Sequence, residues 1–278
     1  MRVTLIPADG GTDNGTIADF RPIFRAVSQT TGMVFDLKVA SSYSTAVEAM
    51  CSGTTDVAFL GPATYVQAHA RGCADLLAVG VKDGKSVYHA IILVRAASPV
   101  RSVGALAGRS LAVGDANSAS SFFFPLNMIR KAGVDPVRDL GALHITGSHA
   151  ASLNAVASGR ADAAAMSVES YEKALRARVA SADDFRIIAM SEPIPYPPLA
   201  VSSRVGAARR ERLRKAFGAI GARGDIPRGS IRGYGGEQLD AYDANVSDRH
   251  YDAVRMAMLR IDAGMQQALR EKASVGRR

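Results

Sequence analysis

The chain has no tryptophan, only two cysteines, and no apolar run approaching the roughly 18 residues that a membrane-spanning helix needs. The last absence excludes a transmembrane helix. Neither Cys51 nor Cys73 sits in a Cys-x-x-Cys pair, and no Cys/His set has zinc spacing. Structural zinc and dithiol redox chemistry are therefore not expected, nor is any metal or cofactor. A disulfide, two buried thiols, or a thiol ligand for a soft metalloid all stay open for the two cysteines. Aromatic–basic motifs are also missing. The formal net charge is +8, but Arg and Lys are mostly scattered singly, so a nucleic-acid partner is not expected and a small anion is. The densest basic stretch, Ala207 to Lys215, has helical spacing with Leu213 and Phe217 inward, as on a solvated helix face. No paired carboxylates and no nucleophile beside a base emerge, so the chain does not read as an enzyme. No signal-peptide pattern follows Met1, although the chain starts almost inside a strand (VTLIPADGG). The expectation is a mature form whose export signal is absent.

What is present is a sentence said twice. Tyr43 opens YSTAVEAMCSGTTDVAFLGPATYVQA and His149, 106 positions later, opens HAASLNAVASGRADAAAMSVESYEKA. Each has an apolar helical pattern ending in Ser-Gly (Ser52-Gly53, Ser158-Gly159) and an Asp three residues on (Asp56, Asp162). Each then has a short apolar strand, a turn at Gly61 or Ser167, and a Tyr (Tyr65, Tyr171). An ungapped match of this length implies two copies of one supersecondary unit. Two copies imply a pair of similar lobes, with a cleft between them for a small molecule.

Strand and helix patterns alternate along the chain, as in an α/β protein built of βαβ units. Strands are expected at Val3–Pro7, Val34–Val39, Val57–Leu60, Leu76–Val81, His89–Arg95, Arg109–Gly114, Leu143–Thr146, Arg186–Met190 and Leu199–Ser203. Late helices are expected at Ala208–Ile220, Gln238–Asn245 and Tyr251–Ala268. The order suggests a discontinuous first lobe, residues 1–95 plus 200–278, and a second of residues 96–199. Two crossover strands would form the hinge.

In open α/β sheets ligands bind beyond the carboxyl ends of strands, where helix N-termini offer free N–H groups to anions. That rule selects Ala8-Asp9-Gly10, Ser41-Ser42-Tyr43, Gly61 to Thr64, Asn117 to Ser121, Gly147-Ser148-His149 and Ser167. The set holds hydroxyls, amides, Tyr and one His, suited to the oxygens of a tetrahedral oxyanion. Ser118, Ser120 and Ser121 in the run NSASS could cradle several oxygens, though a helix N-cap would use the same residues. His149 and Tyr43 open the two repeats and should face the cleft. Tyr88 would line it from the hinge side, and Thr64 belongs to the first repeat's turn. Tyr65 and Tyr171 read as core or rim residues.

Four stretches, YSTAVEAMCSGTTDVAFLGPATYVQA, GRSLAVGDANSASSFFFP, ITGSHAASLNAVASGRADAA and SEPIPYPPLAV, resemble the periplasmic phosphate/phosphite/phosphonate-binding proteins of ABC transporters. The resemblance implies a two-lobed periplasmic-binding-protein-like fold of class II type. It also implies a periplasmic monomer that captures a small oxyanion for a membrane permease. Carried over residue by residue, it places Tyr43, Tyr88, Ser118, Ser120 and His149 on the anion. Two positions depart from the family pattern. Ala119 replaces the central Thr of a Ser-Thr-Ser run, and Pro197 stands where the family has an Asp. A branch of the family binds arsenite and signals to a membrane histidine kinase. On that alternative, Cys73 or Cys51 would supply a thiolate.

Overall fold

The structure is a computed structural model that describes residues 1–7, 12–222 and 226–275. The expected strand-end residues Ala8, Asp9 and Gly10 therefore lie outside the described residues. The chain divides into two compact units, Met1–Val87 with Pro195–Ala253, and Tyr88–Ile194 with the residues from Val254 onward.

The first unit opens with β1 (Arg2–Leu5), α1 (Asp13–Thr31), β2 (Asp36–Val39), α2 (Tyr43–Ser52), β3 (Val57–Phe59), α3 (Pro62–Ala70) and β4 (Ala74–Val81). The chain leaves it within β5 (Val87–Tyr88). The second unit holds β6 (Ala90–Arg95), β7 (Ser110–Val113), α4 (Phe124–Lys131), β8 (Ala142–Ile145), α5 (His149–Ala157), β9 (Ala163–Ser167), α6 (Val168–Arg176) and β10 (Phe185–Met190). The chain returns within β11 (Ile194–Pro195) and continues through β12 (Pro198–Ser202), α7 (Ala207–Gly218) and β13 (Ala241–Asp243). The last helices are α8 (Asp252–Arg260) and α9 (Ala263–Val275).

The two sheets have matching orders. One runs β13-β4-β12-β3-β1-β2 and the other β10-β6-β9-β7-β8. In each, three neighbouring strands are parallel (β3-β1-β2, β9-β7-β8) and the next strand, β12 or β6, is antiparallel to them. The central strands are apolar and buried up to their last residues, Arg95 ending β6 exposed and Ser167 ending β9 buried, as strands covered on both faces are.

The sequence repeat explains why the sheets agree. Asp56 accepts the backbone N–H of Arg2 at 2.8 Å, at the start of β1. Asp162 accepts the backbone N–H of Ser110, also at 2.8 Å, at the start of β7. Each repeated Asp thus ties the entry of one strand to the neighbour that follows it in the sheet. Gly53 and Gly159 adopt φ of 76° and 77°, the left-handed region that glycine enters without strain. A side chain at either would overlap an arginine, Arg204 at Gly53 and Arg95 at Gly159. Those arginines cap the helix ends. Arg204 donates to Ser52 O at 2.7 Å and Cys51 O at 3.0 Å, and Arg95 to Val156 O at 3.2 Å.

Three expectations are corrected. The expected lobe boundaries were 1–95 with 200–278, and 96–199. The chain instead crosses at Val87/Tyr88 and Ile194/Pro195, because β6 pairs with β9 and β10. A third crossing falls at Ala253/Val254, inside α8. Residues beyond it join the second unit, where Asn127 Nδ2 donates to Ala257 O at 2.8 Å and Lys272 Nζ to Val137 O at 2.9 Å. The helix expected over Gln238–Asn245 is the strand β13. Leu239 and Tyr242 are spaced helically, but the free edge of β4 takes the backbone instead, with Ala241 opposite Val81. The helix expected over Tyr251–Ala268 is broken between α8 and α9, where Asp262 accepts the N–H of Met265 and begins a new helix.

The Arg2 guanidinium holds the Asp56 carboxyl below its usual range. Burial alone would raise the Asp162 carboxyl, but hydrogen bonds from Ser110 and the charges of Arg109 and Arg95 lower it on balance. A carboxyl lowered by folding stabilises above its unfolded pKa, about 3.9, and loses that contribution as pH falls through the folded value. Asp162→Ala should cost about 1–3 kcal/mol at pH 7 by stranding the Ser110 N–H. Urea melts should show this gap narrowing below about pH 4, where the wild-type carboxylate is itself lost.

Candidate functional site

In the second unit the carboxyl ends of β7, β8 and β9 release the chain into three helix starts. Ser118 begins the first, a single π turn over Ala119–Phe123 that leads into α4, and its hydroxyl accepts the N–H of Ser121 at 3.2 Å. The turn is wide because bonding runs to the residue five back: Phe123 N–H reaches Ser118 O at 3.2 Å and Phe124 N–H reaches Ala119 O. Ser148 caps α5, accepting from Ala151 N–H at 3.1 Å. Ser167 caps α6, accepting from Ser170 N–H at 3.1 Å. These starts share one edge. A Cβ on Gly114, just past β7, would lie 2.7 Å from Ser121 Oγ and 3.3 Å from the Ser148 carbonyl carbon. Glycine at this position lets the π turn and the start of α5 close on one another.

The side chains gathered there are mostly neutral donors. Ser118, Ser120, Ser121 and His149 are all buried. Ser121 Oγ is buried with no hydrogen-bond partner among the described residues, an arrangement that costs free energy unless something else satisfies it. His149 Nδ1 accepts the backbone N–H of Ser167 at 2.9 Å. That bond needs a lone pair on Nδ1, so the neutral ring carries its proton on Nε2 and donates from there. Two carboxylates share this edge. Asp115 is engaged by Asn117, through the backbone N–H at 2.7 Å and Nδ2 at 3.1 Å, and Glu169 lies in the first turn of α6. Tyr88 is buried two residues before Ala90, which stands opposite Ser167 in the sheet. The arrangement has positive helix ends, hydroxyls and one imidazole N–H, which suits the oxygens of a compact anion.

The first unit repeats the pattern with different side chains. Ser42 caps α2 and Tyr43 is its first residue, while α3 starts at Pro62 after Gly61. A Cβ on Gly61 would lie 3.0 Å from the Tyr43 ring and 3.4 Å from Thr64 Oγ1. Tyr43 and Thr64 therefore flank one glycine, as Ser121 and Ser148 flank Gly114. Thr64 donates its hydroxyl proton to Gly61 O at 2.9 Å, so that proton is committed to a turn. Tyr43 Oη donates to Tyr234 Oη at 3.0 Å. No feature of the sequence singles out Tyr234. It lies 191 positions away in the glycine-rich stretch Gly233–Gly236, whose only local signal is a turn.

Of the three possibilities left open for the cysteines, the disulfide is the one present, and the thiolate role considered for Cys73 or Cys51 is corrected. Cys51, at the end of α2, and Cys73, after α3, form a disulfide, and no free cysteine remains. Neither is available as a thiolate for a metalloid.

A model of the family described as the periplasmic substrate-binding protein of phosphonate ABC transporters matches residues 12–235. The chain belongs to this family. The phosphate-import protein PhnD of Mycolicibacterium smegmatis is 31% identical over 174 residues, 59% of this chain and 53% of that protein. The match thus spans about half the length of that curated relative. Two solved structures share the fold. The binding protein component of an ABC phosphonate transporter from Pseudomonas aeruginosa has a TM-score of 0.78 at 20% identity, covering 99% of this chain and 96% of that one. PhnD1 from Prochlorococcus marinus, in complex with methylphosphonate, has a TM-score of 0.79 at 16% identity, covering 94% and 97%. The class expected from the sequence, an α/β periplasmic-binding-protein-like fold, is the class of these neighbours.

The disulfide makes a direct prediction. Thiol titration of the unreduced, denatured protein should find no free thiol, and reduction should release both. Removing the bond should lower stability by about 2–4 kcal/mol, measured as the shift in the denaturant midpoint with and without reductant.

Proposed function

We propose that this chain is the extracytoplasmic solute-binding component of an ABC importer and that its ligand is a small phosphorus oxyanion of the phosphonate, phosphite and phosphate class. The observation that carries the reading is the shared edge of three helix starts in the second unit. There the buried Ser121 hydroxyl has no partner among the described residues, and His149 is held as an Nε2–H donor. Family membership supports the class of ligand and a membrane permease as partner. On this reading the chain binds and releases its ligand without turning it over. Ser118, Ser120, Ser121 and His149 hold the oxygens, and Tyr43 and Tyr88 belong to the same set by family resemblance. Thr64 supports the turn beside Tyr43. With Cys51 and Cys73 paired, nothing observed favours arsenite sensing through a kinase.

The test is a binding panel of phosphite, phosphate, methylphosphonate and arsenite. At least one phosphorus anion should bind. At about 100 times its Kd it should stabilise the protein by roughly 2.7 kcal/mol in a thermal shift. Ser120→Ala and His149→Ala should each weaken that binding by about tenfold or more, the worth of a hydrogen bond to a charged group; the unliganded melting temperature should change little in Ser120→Ala and fall in His149→Ala, which strands the Ser167 N–H. Unaltered affinity in both variants would remove the site, and no shift with any phosphorus anion would remove the function.

A further inference from the structure

The first sheet ends at β2, and no strand among the described residues pairs with its far side. Asp36 N–H donates to Met1 O and Ala40 N–H to Leu5 O, both at 2.9 Å, so the even-numbered residues of the strand face β1. Leu37 and Val39 therefore turn their N–H and C=O groups to the open side. Side chains alternate as well. Phe35 meets Phe24 of α1 with ring centroids 5.2 Å apart, which puts Phe35 and Leu37 on the face that α1 covers. On that face a groove of about 510 Å³ lies between α1 and the strand, walled by Ile17, Phe24, Phe35 and Leu37. Val34, also on the groove, leaves 77% of its surface to solvent.

Arg21 and Arg25 border the same groove. Both are exposed, and neither has an ion pair or hydrogen bond among the described residues. Like charges four residues apart weaken a helix, and no carboxylate lies three or four residues from either to offset them. The one carboxylate on the groove, Asp36, stands 3.5 Å from Lys38 Nζ.

We propose that this edge is a docking site for an extended, acidic segment of a partner protein. The segment adds to β2 as a new outer strand, sets an apolar side chain in the groove and brings carboxylates to Arg21 and Arg25. Open N–H and C=O groups call for a peptide backbone, which a lipid lacks. A second copy paired strand to strand would bring two like pairs of arginines to one seam, which opposes self-association. None of these residues is among those proposed to hold the oxyanion, so the inference does not depend on that reading.

The probe is the peptide acetyl-STVTETET-amide, whose valine and two glutamates fall on one face of a strand. Its opposite in charge is acetyl-STVTKTKT-amide. Fluorescence anisotropy of the labelled peptides with the full chain should show the acidic one binding about tenfold or more tighter than the basic one. Arg21→Glu combined with Arg25→Glu should reverse that preference, an exchange that a damaged fold would not give. Deuterium exchange at the Leu37 and Val39 amides should slow when the acidic peptide is bound. N-methylation of one alternating set of the peptide's amides should abolish binding. No binding of the acidic peptide, an unreversed preference, or unchanged exchange at Leu37 and Val39 overturns the proposal. So does attachment to phosphatidylglycerol vesicles, or self-association in sedimentation, that is lost in the double variant and that the acidic peptide fails to displace.

Discussion

A buried strand that ends where a helix begins leaves backbone N–H groups pointing outward with no partner of their own. That constraint governs both units of this chain. At each parallel strand's carboxyl end the first helical residues need an acceptor, and capping side chains meet only part of the need: Ser42, Ser118, Ser148 and Ser167 each satisfy one N–H. The rest of the edge is a row of donors with a helix dipole behind it. Elsewhere in a protein such an edge would be a defect to cover. Here two of them close on one another at Gly114, a third is tied to them where Ser167 N–H meets His149, and most of the side chains added are further donors. The chemistry of the site continues the way the sheet has to end.

The opposite edge shows what happens when the same sheet needs closing. Strand entries are tied by Asp56 and Asp162. Helix exits are covered by Arg204 and Arg95 lying over glycines that have no room for a side chain. Charged residues thus finish the edge away from the proposed site, where they are spent on backbone groups. The site edge relies mainly on hydroxyls, the His149 Nε2–H and backbone N–H groups, with its two carboxylates, Asp115 and Glu169, beside them.

Much of this was legible in the sequence because it is local. The repeat is ungapped, its Ser-Gly and Asp positions have fixed backbone roles, and the short apolar strands allow one kind of sheet. Ser118, Ser120, Ser121 and His149 could be picked out because each lies within a few residues of a recognisable strand end. What escaped depends on partners far apart in sequence. Helical spacing of Leu239 and Tyr242 gave way to the unfilled edge of β4, which no local pattern reveals. The residues beyond Val254 join the second unit through Asn127 and Val137, contacts made across more than a hundred residues. Composition left the cysteine pairing open, since both thiols lie near helix ends that only the folded chain brings together. Tyr234 has no motif at all, and only the folded chain brings it to Tyr43.

The placement of β12 bears on the order in which the molecule can be assembled. This strand lies between β3 and β4, near the middle of the first sheet, yet it follows every strand of the second. A chain emerging from its N-terminus can therefore pair β3, β1 and β2 but leaves β4 without a strand partner, since β12 and β13 both come later. The facing edges of β3 and β4 stay open until the whole of the second sheet has been made. The second sheet has a gap of the same kind, since β9 lies between β6 and β7, but its strands β6 to β10 are consecutive in the chain, so it closes without waiting for the other sheet. There β7 and β8 can pair at once and β6 waits only for β9, although the α9 cover on β8 arrives last. The first sheet begins early and closes late, so its apolar edges are the surfaces most exposed to wrong pairing before the chain is complete. A nascent chain of this design is safest if it is kept unfolded until β12 has been made.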